Sequence, residues 1–314
     1  MLSKTKQKSR WQLAAVLSTL LYSGIATCHQ DHSHPNSAIK QAAEFGQATY
    51  LGNEAVMIEH GDTKILFDPF FHNSYGTYQL VPEAMRQAMM QGQPPYDNID
   101  AIFISHAHGD HFSAQDVLTY LTRHQNTWLV APNQAIEQLY RFAEKEQQDM
   151  AAIKARLVAV PLNFGDQPWR NKVNGLVVEA VRIPHAGWPQ RADVENLVFR
   201  VALADEGTKQ ESNVVVMHMG DADPDDDHFR PFKAHWQRKV TDTAFPPYWF
   251  FYSMEGNDIL TEHINAKQHI GVHVPVNVPK ELKATGKQFF SKPGQQQTIG
   301  NGMTKQGAED HHHD

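Results

Sequence analysis

Three imidazoles and a carboxylate fall within six consecutive positions, His106-Ala107-His108-Gly109-Asp110-His111, just after the run Ala101-Ile102-Phe103-Ile104-Ser105. Neutral imidazole and carboxylate are the ligands that hold zinc and similar divalent ions. A solvated loop has no physical need for such a density of them. Four ligands in so short a span do not easily reach one ion, which points to two metals sharing a site. Residues 102–105 read as a buried strand, and Ser113 with Asp116 three positions on reads as a capped helix start. The cluster therefore lies at a strand's carboxyl end, where α/β sheets place ligands. His106 and His108, two apart, project the same way, whereas Asp110 and His111 follow the turn and point elsewhere.

Further candidates stand singly at the ends of strand-like runs. Residues 177–183 lead to Pro184-His185, and residues 214–219 lead to Gly220-Asp221. Residues 269–273 read as a third strand ending on His273, and residues 64–67 run into Asp68-Pro69. Each has a rival reading. His185 could simply precede a turn, Asp223 competes with Asp221 in the acidic run 221–227, and His269 shares a strand face with His273. His218 lies inside an apolar run and reads as buried and hydrogen-bonded. His60 opens a turn, His263 sits in a helix-like stretch, and His72 fits either a pocket wall or a surface loop.

The cluster resembles the HxHxDH motif of the metallo-β-lactamase superfamily. The resemblance runs from about residue 48 to residue 275 and implies an α/β fold, an αββα sandwich of two mixed β-sheets flanked by helices. It further implies one ion held by His106, His108 and His185, and a second held by Asp110, His111 and His273. Asp221 would bridge both, and Asp68 would orient a ligand or stiffen its loop. Within the superfamily the chain resembles the branch of ascorbate-phosphate lactonases and of the phospholipase D that cleaves N-acyl phosphatidylethanolamines. The stretch Ala48-Thr49-Tyr50-Leu51-Gly52-Asn53-Glu54-Ala55-Val56 looks like that branch's first hairpin, although Asn53 stands where many relatives carry His.

The 314 residues divide unevenly. Lys4, Lys6, Lys8 and Arg10 precede an apolar stretch at 11–25 that is short for a membrane span, so residues 1–28 read as an export signal. The single cysteine, Cys28, excludes a disulfide framework and invites a lipid anchor, a membrane tether at the new terminus. Cleavage to a free periplasmic protein and an uncleaved membrane anchor are the alternatives. Residues 29–43 read as a flexible linker, 44–280 as the metallo-hydrolase domain, and 281–314 as a largely disordered tail. The closing run His311-His312-His313 reads as a metal scavenger or as nothing more than a tag remnant. Loss of residues 1–27 removes four positive charges and moves the net charge from −7 to −11. An acidic chain of this kind suits no nucleic-acid partner.

Divalent ions lower the pKa of bound water from about 15.7 to about 7. The expected chemistry is thus attack by a metal-bridging hydroxide on a small ester-like bond, a lactone or phosphodiester. Asp110 is the expected catalytic carboxylate, holding the hydroxide in line and carrying its proton, with Asp68 in support. No Ser or Cys nucleophile is needed, and no G-x-S-x-G elbow is present. The ions are expected as zinc, with manganese or iron also suited to the ligands. A small molecule or lipid is the expected substrate. Pro246-Pro247-Tyr248-Trp249-Phe250-Phe251 and Gly187-Trp188 offer aromatic surface for it, or core. Residues 71–96, with Met85, Met89 and Met90, form either a lid or a helix packed on the sheet. The competing functions are a non-catalytic metal-binding or sensing module and a β-lactam hydrolase.

Overall fold

Alternation of apolar side chains along the strands explains why two sheets face each other. The computed structural model describes residues 45–203 and 214–300. The export signal, Cys28, the linker and the closing His run lie outside the described residues. The first sheet contains β1 (Phe45–Gly52), β2 (Ala55–His60), β3 (Thr63–Phe67), β4 (Ala101–Phe103), β5 (Trp128–Pro132) and β6 (Leu157–Val160). β1 to β3 pair antiparallel and β3 to β6 parallel. The second sheet contains β7 (Trp169–Val173), β8 (Leu176–Arg182), β9 (Leu197–Ala202), β10 (Val215–His218), β11 (Thr241–Phe245) and β12 (Ala266–His269). β7 to β10 pair antiparallel and β10 to β12 parallel, so both sheets are mixed.

Ile65 and Phe67 of β3, Phe103 of β4, and Phe199 and Val201 of β9 point between the sheets into one apolar cluster. Leu66, Ile102 and Leu129 point the other way, as a period of two requires. Phe103 packs on Phe67 at 5.2 Å and on Phe199 at 5.4 Å between ring centres, tying one sheet to the other. Burying each such ring stabilises the fold by about 1.5–3 kcal/mol. Helices α1 (Glu83–Gln91), α2 (Ala114–Arg123) and α3 (Asn133–Lys145) cover the outer face of the first sheet. Short helices carrying Phe229, Trp236 and Ile259 cover the second. This is the expected αββα arrangement. Among the described residues no helix is long and apolar enough to cross a membrane.

Ser113 caps α2 as expected, accepting from the Asp116 backbone N–H at 3.3 Å. The Asp116 carboxylate pairs instead with Arg86 of α1 and with His72, both at 3.0 Å. The methionine stretch is a packed helix rather than a lid, with Met89 and Met90 buried against the sheet.

Two expectations need correction. The stretch from 281 to 300 is folded, not a disordered tail. Gln296–Gly300 forms β13, an edge strand paired antiparallel with β1, and Phe290 stacks on Tyr50 at 5.3 Å between ring centres. An edge strand needs only one buried apolar residue, here Ile299, so its composition imitates a tail. The strand expected over 269–273 is regular only to the end of β12 at His269; the chain runs on through isolated bridges at Gly271 and Val272 and bends at His273, whose backbone is left-handed with φ of 59°.

Candidate metal centre

The expected ligands meet where strand ends from both sheets converge. β4 ends at Phe103, and the following chain turns over Asp68, which itself follows β3. Asp68 Oδ1 accepts from the Ser105 N–H at 2.7 Å, and Oδ2 from the Ser105 hydroxyl at 2.6 Å. From the second sheet, β8 delivers His185 and β10 delivers Asp221. Asn196 binds these strand ends together: its Nδ2 donates to Ile183 and Met219 carbonyls, and its Oδ1 accepts from Asp221 N–H at 3.0 Å. Gly220 must be glycine, since φ is 52° and a Cβ would stand 2.4 Å from Asn196 Oδ1. Asn53, Asp68 and His273 also hold positive φ, the backbone strain often found at functional sites.

Asp221 stands between two groups of ligands. Its Oδ2 lies 3.2 Å from His185 Nε2 and 3.9 Å from His106 Nε2. Its Oδ1 lies 3.0 Å from His273 Nε2 and 3.3 Å from His111 Nε2. His108 completes the first group, with Nδ1 3.1 Å from His106 Nε2. Asp110 completes the second, with Oδ2 3.7 Å from both His111 and His273. All seven expected residues are thus brought together, and His106, His111 and Asp221 make a further grouping that links the two. His269 is held elsewhere, and Asp223 turns away from Asp221 toward Gly187.

The imidazoles are held from behind. His106 Nδ1 lies 3.0 Å from the Ser105 hydroxyl, His111 Nδ1 2.9 Å from Asp68, and His185 Nδ1 2.7 Å from the Ala186 carbonyl. Each contact turns an Nε2 lone pair inward, the orientation that outer oxygens impose on metal-binding histidines. Yet the buried Nε2 atoms of His111, His185 and His273, and Asp221 Oδ1, make no hydrogen bond. Buried polar atoms without partners are costly unless something binds them. The donor set, its orientation and these orphaned atoms fit divalent ions.

Charge follows the same division. Burial, then the His111 charge, push His106 well below its usual pKa, and burial with His185 pushes His108 down to about 4. Burial alone would lower His111, but Asp221 and Asp68 raise it well above the imidazole range. Burial likewise opposes ionisation of Asp221, and His273 with His111 outweighs it. Solvent reaches the centre at half-buried His108 and exposed Gly109. Tyr78 meets His273 edge-on at 4.0 Å between centres, and Trp249 stands 5.2 Å from it. Of the aromatic run, Tyr248 and Trp249 are therefore available at the rim, while Phe250 and Phe251 are core.

Sequence reasoning missed three residues that build this site: Ser105, Asn196 and Glu54. Glu54 is fully buried, its carboxylate 3.7 Å from His218 and 4.0 Å from His111, with neither oxygen hydrogen-bonded. Burial and then Asp221 push its pKa well up, favouring the neutral acid. An acid directly ahead of the apolar run Ala55-Val56-Met57-Ile58 was the available signal. His218 is structural, as expected: Nε2 reaches the Glu54 carbonyl at 2.9 Å and the ring stacks on Phe67. His60 contacts the Phe45 carbonyl, His72 pairs on the surface with Asp116, and His263 pairs with Asp226.

A two-sheet sandwich with outer helices and a His/Asp centre at converging strand ends defines a metallo-β-lactamase-fold protein. The model of the family described as "Beta-lactamase superfamily domain" matches residues 63–245, more than half of the chain, and the chain belongs to that family. His273 falls beyond the matched residues. No curated protein sequence matches the chain significantly. Among solved structures, the novel metallo hydrolase Igni18 of the archaeon Ignicoccus hospitalis is similar at 16% identity and a TM-score of 0.51, covering 81% of this chain and 98% of its own. A protein of Veillonella parvula described as "a possible metal-dependent hydrolase" aligns at 14% identity and a TM-score of 0.52, covering 80% and 98%. The short form of human tRNase Z aligns at 14% and 0.51, also covering 80% and 98%. Identities this low establish shared fold only.

Proposed function

We propose that the chain is a metal-dependent hydrolase that holds two divalent ions and cleaves a small ester-like bond, a lactone or a phosphodiester. The observation that carries this reading is the Asp221 carboxylate, with one oxygen turned to His106 and His185 and the other to His111 and His273. Such ions supply a water that ionises near neutral pH and a Lewis acid for the substrate oxygen. The chain's own residues do the rest. Asp110 is the carboxylate placed to accept the proton of the attacking water, and Asn53 Nδ2 holds its backbone carbonyl at 3.0 Å. Asp68 keeps the Nδ1 proton of His111 directed away from the centre. Tyr78 and Trp249 offer an apolar wall to the organic part of the substrate.

The lactonase and phospholipase branch is supported by the opening hairpin, and the acidic balance favours a small molecule or lipid over a nucleic acid. The basic and then apolar amino terminus supports export, with Cys28 as a site for a lipid anchor. Zinc, manganese and iron all suit the ligands. The test is metal analysis of the purified protein, followed by assays on lactones, phosphodiesters and β-lactams. Turnover of a lactone or phosphodiester that chelation abolishes and metal restores is expected. Metal binding without turnover across the panel would instead favour a sensing module.

A further inference from the structure

A second cluster of ligands stands beside the centre, in the loop after Asp221. Asp223, Asp225 and His228 each offer one ligand atom, and these atoms lie within 4.8 Å of one another. His228 is only 6% exposed, yet its buried Nδ1 makes no hydrogen bond and faces Asp223 Oδ1 at 3.8 Å. The ring is fixed in that direction by Trp188 and Phe164, which meet it nearly perpendicular at 5.5 and 5.9 Å between centres. The neighbouring acids are already neutralised: Asp226 pairs with His263 and Arg230, and Asp227 pairs with Arg230 at 2.7 Å. Among the described residues no lysine or arginine pairs with Asp223 or Asp225.

We infer that Asp223, Asp225 and His228 form a separate divalent-cation site that clasps the loop carrying His185. Nitrogen and oxygen ligands about 2.0–2.2 Å from a zinc-like ion stand roughly 3.3–3.6 Å apart in tetrahedral geometry. A small contraction from 3.8 Å brings Asp223 and His228 into that range. Asp225 keeps one oxygen on the Asp227 N–H at 2.9 Å, where it caps the short helix, and has the other for the ion. The coupling to the centre is direct. Asp223 Oδ2 accepts from Gly187 N–H at 3.2 Å, and its own N–H donates to the Pro184 carbonyl at 2.8 Å. Residues on both sides of His185 are thereby fastened to the carboxylate that the cation would fix. The mixed imidazole and carboxylate set selects a transition metal such as zinc over calcium, which takes oxygen ligands.

The test is zinc content per chain after equilibrium dialysis of the full chain against buffered free zinc. His228→Gln and Asp225→Asn should each bind one ion fewer than the wild type, and the asparagine retains the helix-capping oxygen should the buried glutamine disturb folding. Asp221→Ala, which damages the main centre, should keep the ion that His228→Gln removes. Hydrogen exchange of residues 185–188 should slow more on zinc addition in the wild type than in His228→Gln, where an ion on His185 alone is left to hold the loop. Equal zinc content in the wild type and Asp225→Asn, with the same zinc-dependent protection of that loop in the wild type and His228→Gln, overturns the inference. Failure of the main centre to take up its ions would leave this one-ion difference intact, so the two readings fail separately.

Discussion

The second sheet carries one buried charge cluster on β8 and β9 and contributes ligands to another, and only the first is closed. On β9, Arg200 stands in an otherwise apolar strand, 2% exposed, directly across from Glu179 of β8. Its guanidinium pairs with Glu179 at 2.7 Å, donates to the carbonyls of His235, Trp236 and Lys239, and lies 5.3 Å from the Trp236 ring centre. The candidate metal centre is also buried, but the Nε2 atoms of His111, His185 and His273 and one Asp221 oxygen have no hydrogen-bond partner. A buried charge satisfied within the chain serves stability. One that is arranged, oriented and left open serves a ligand.

The sharpest way to break this contrast is to remove a ligand from the open cluster. His108→Ala and Asp110→Ala should each take hydrolysis to background and lower metal content, with circular dichroism unchanged. Full turnover in both would refute the metal mechanism. The converse change, Arg200→Met, strips half-buried Glu179 of its 2.7 Å partner and leaves it only the exposed Arg170 at 3.7 Å and His235 at 4.0 Å. It should cost about 3–5 kcal/mol in urea unfolding of the metal-free protein, with metal content per folded chain unchanged. A cost below about 1 kcal/mol would mean that the Arg200 cluster is not the structural one.

Smaller effects sharpen the comparison. Asp68→Asn weakens the support behind His111 and should lower metal affinity about 10–100-fold, read by competition with a chelator. An unchanged affinity would deny Asp68 its positioning role. Acid should separate the clusters as well. His108, lowered from 6.5 to about 4, leaves the unfolded chain binding more protons in that interval. Metal-free protein should therefore lose stability as pH falls from about 6.5 toward 4, and His108→Ala should flatten that slope. Glu179 acts at lower pH. Burial would raise its pKa, but the Arg200 guanidinium outweighs burial and holds it below the carboxylate value of 4.5. Its contribution is present above that value and fades as pH falls through the lowered one, a loss that Arg200→Met should remove.

Local features were legible in the chain, and features made by long-range pairing were not. The ligands from His106 to His111 are adjacent in sequence, so their chemistry is visible before any folding. Glycine before Asp221 and the strand run before His185 carried enough local pattern to place those two. Glu54 reads as a hairpin-turn acid, and only the return of β10 over it encloses it beside His218. Asn196 looks like a polar residue in a loop, because the strand ends it joins are Ile183 and Met219. The edge strand β13 carries no period of its own, and its pairing with β1 spans nearly the whole domain. Arg200 is a lone charge among Leu197, Val198, Phe199, Val201 and Ala202, and sequence reasoning did not single it out because its partner lies one strand away.

The most direct measurement is an anomalous difference map, recorded at the zinc edge, from crystals of the zinc-loaded protein. Two peaks should flank the Asp221 carboxylate, one among His106, His108 and His185 and the other among Asp110, His111 and His273. A single peak on one side of Asp221, or none, in crystals whose chain is folded as described would contradict the paired-ion centre.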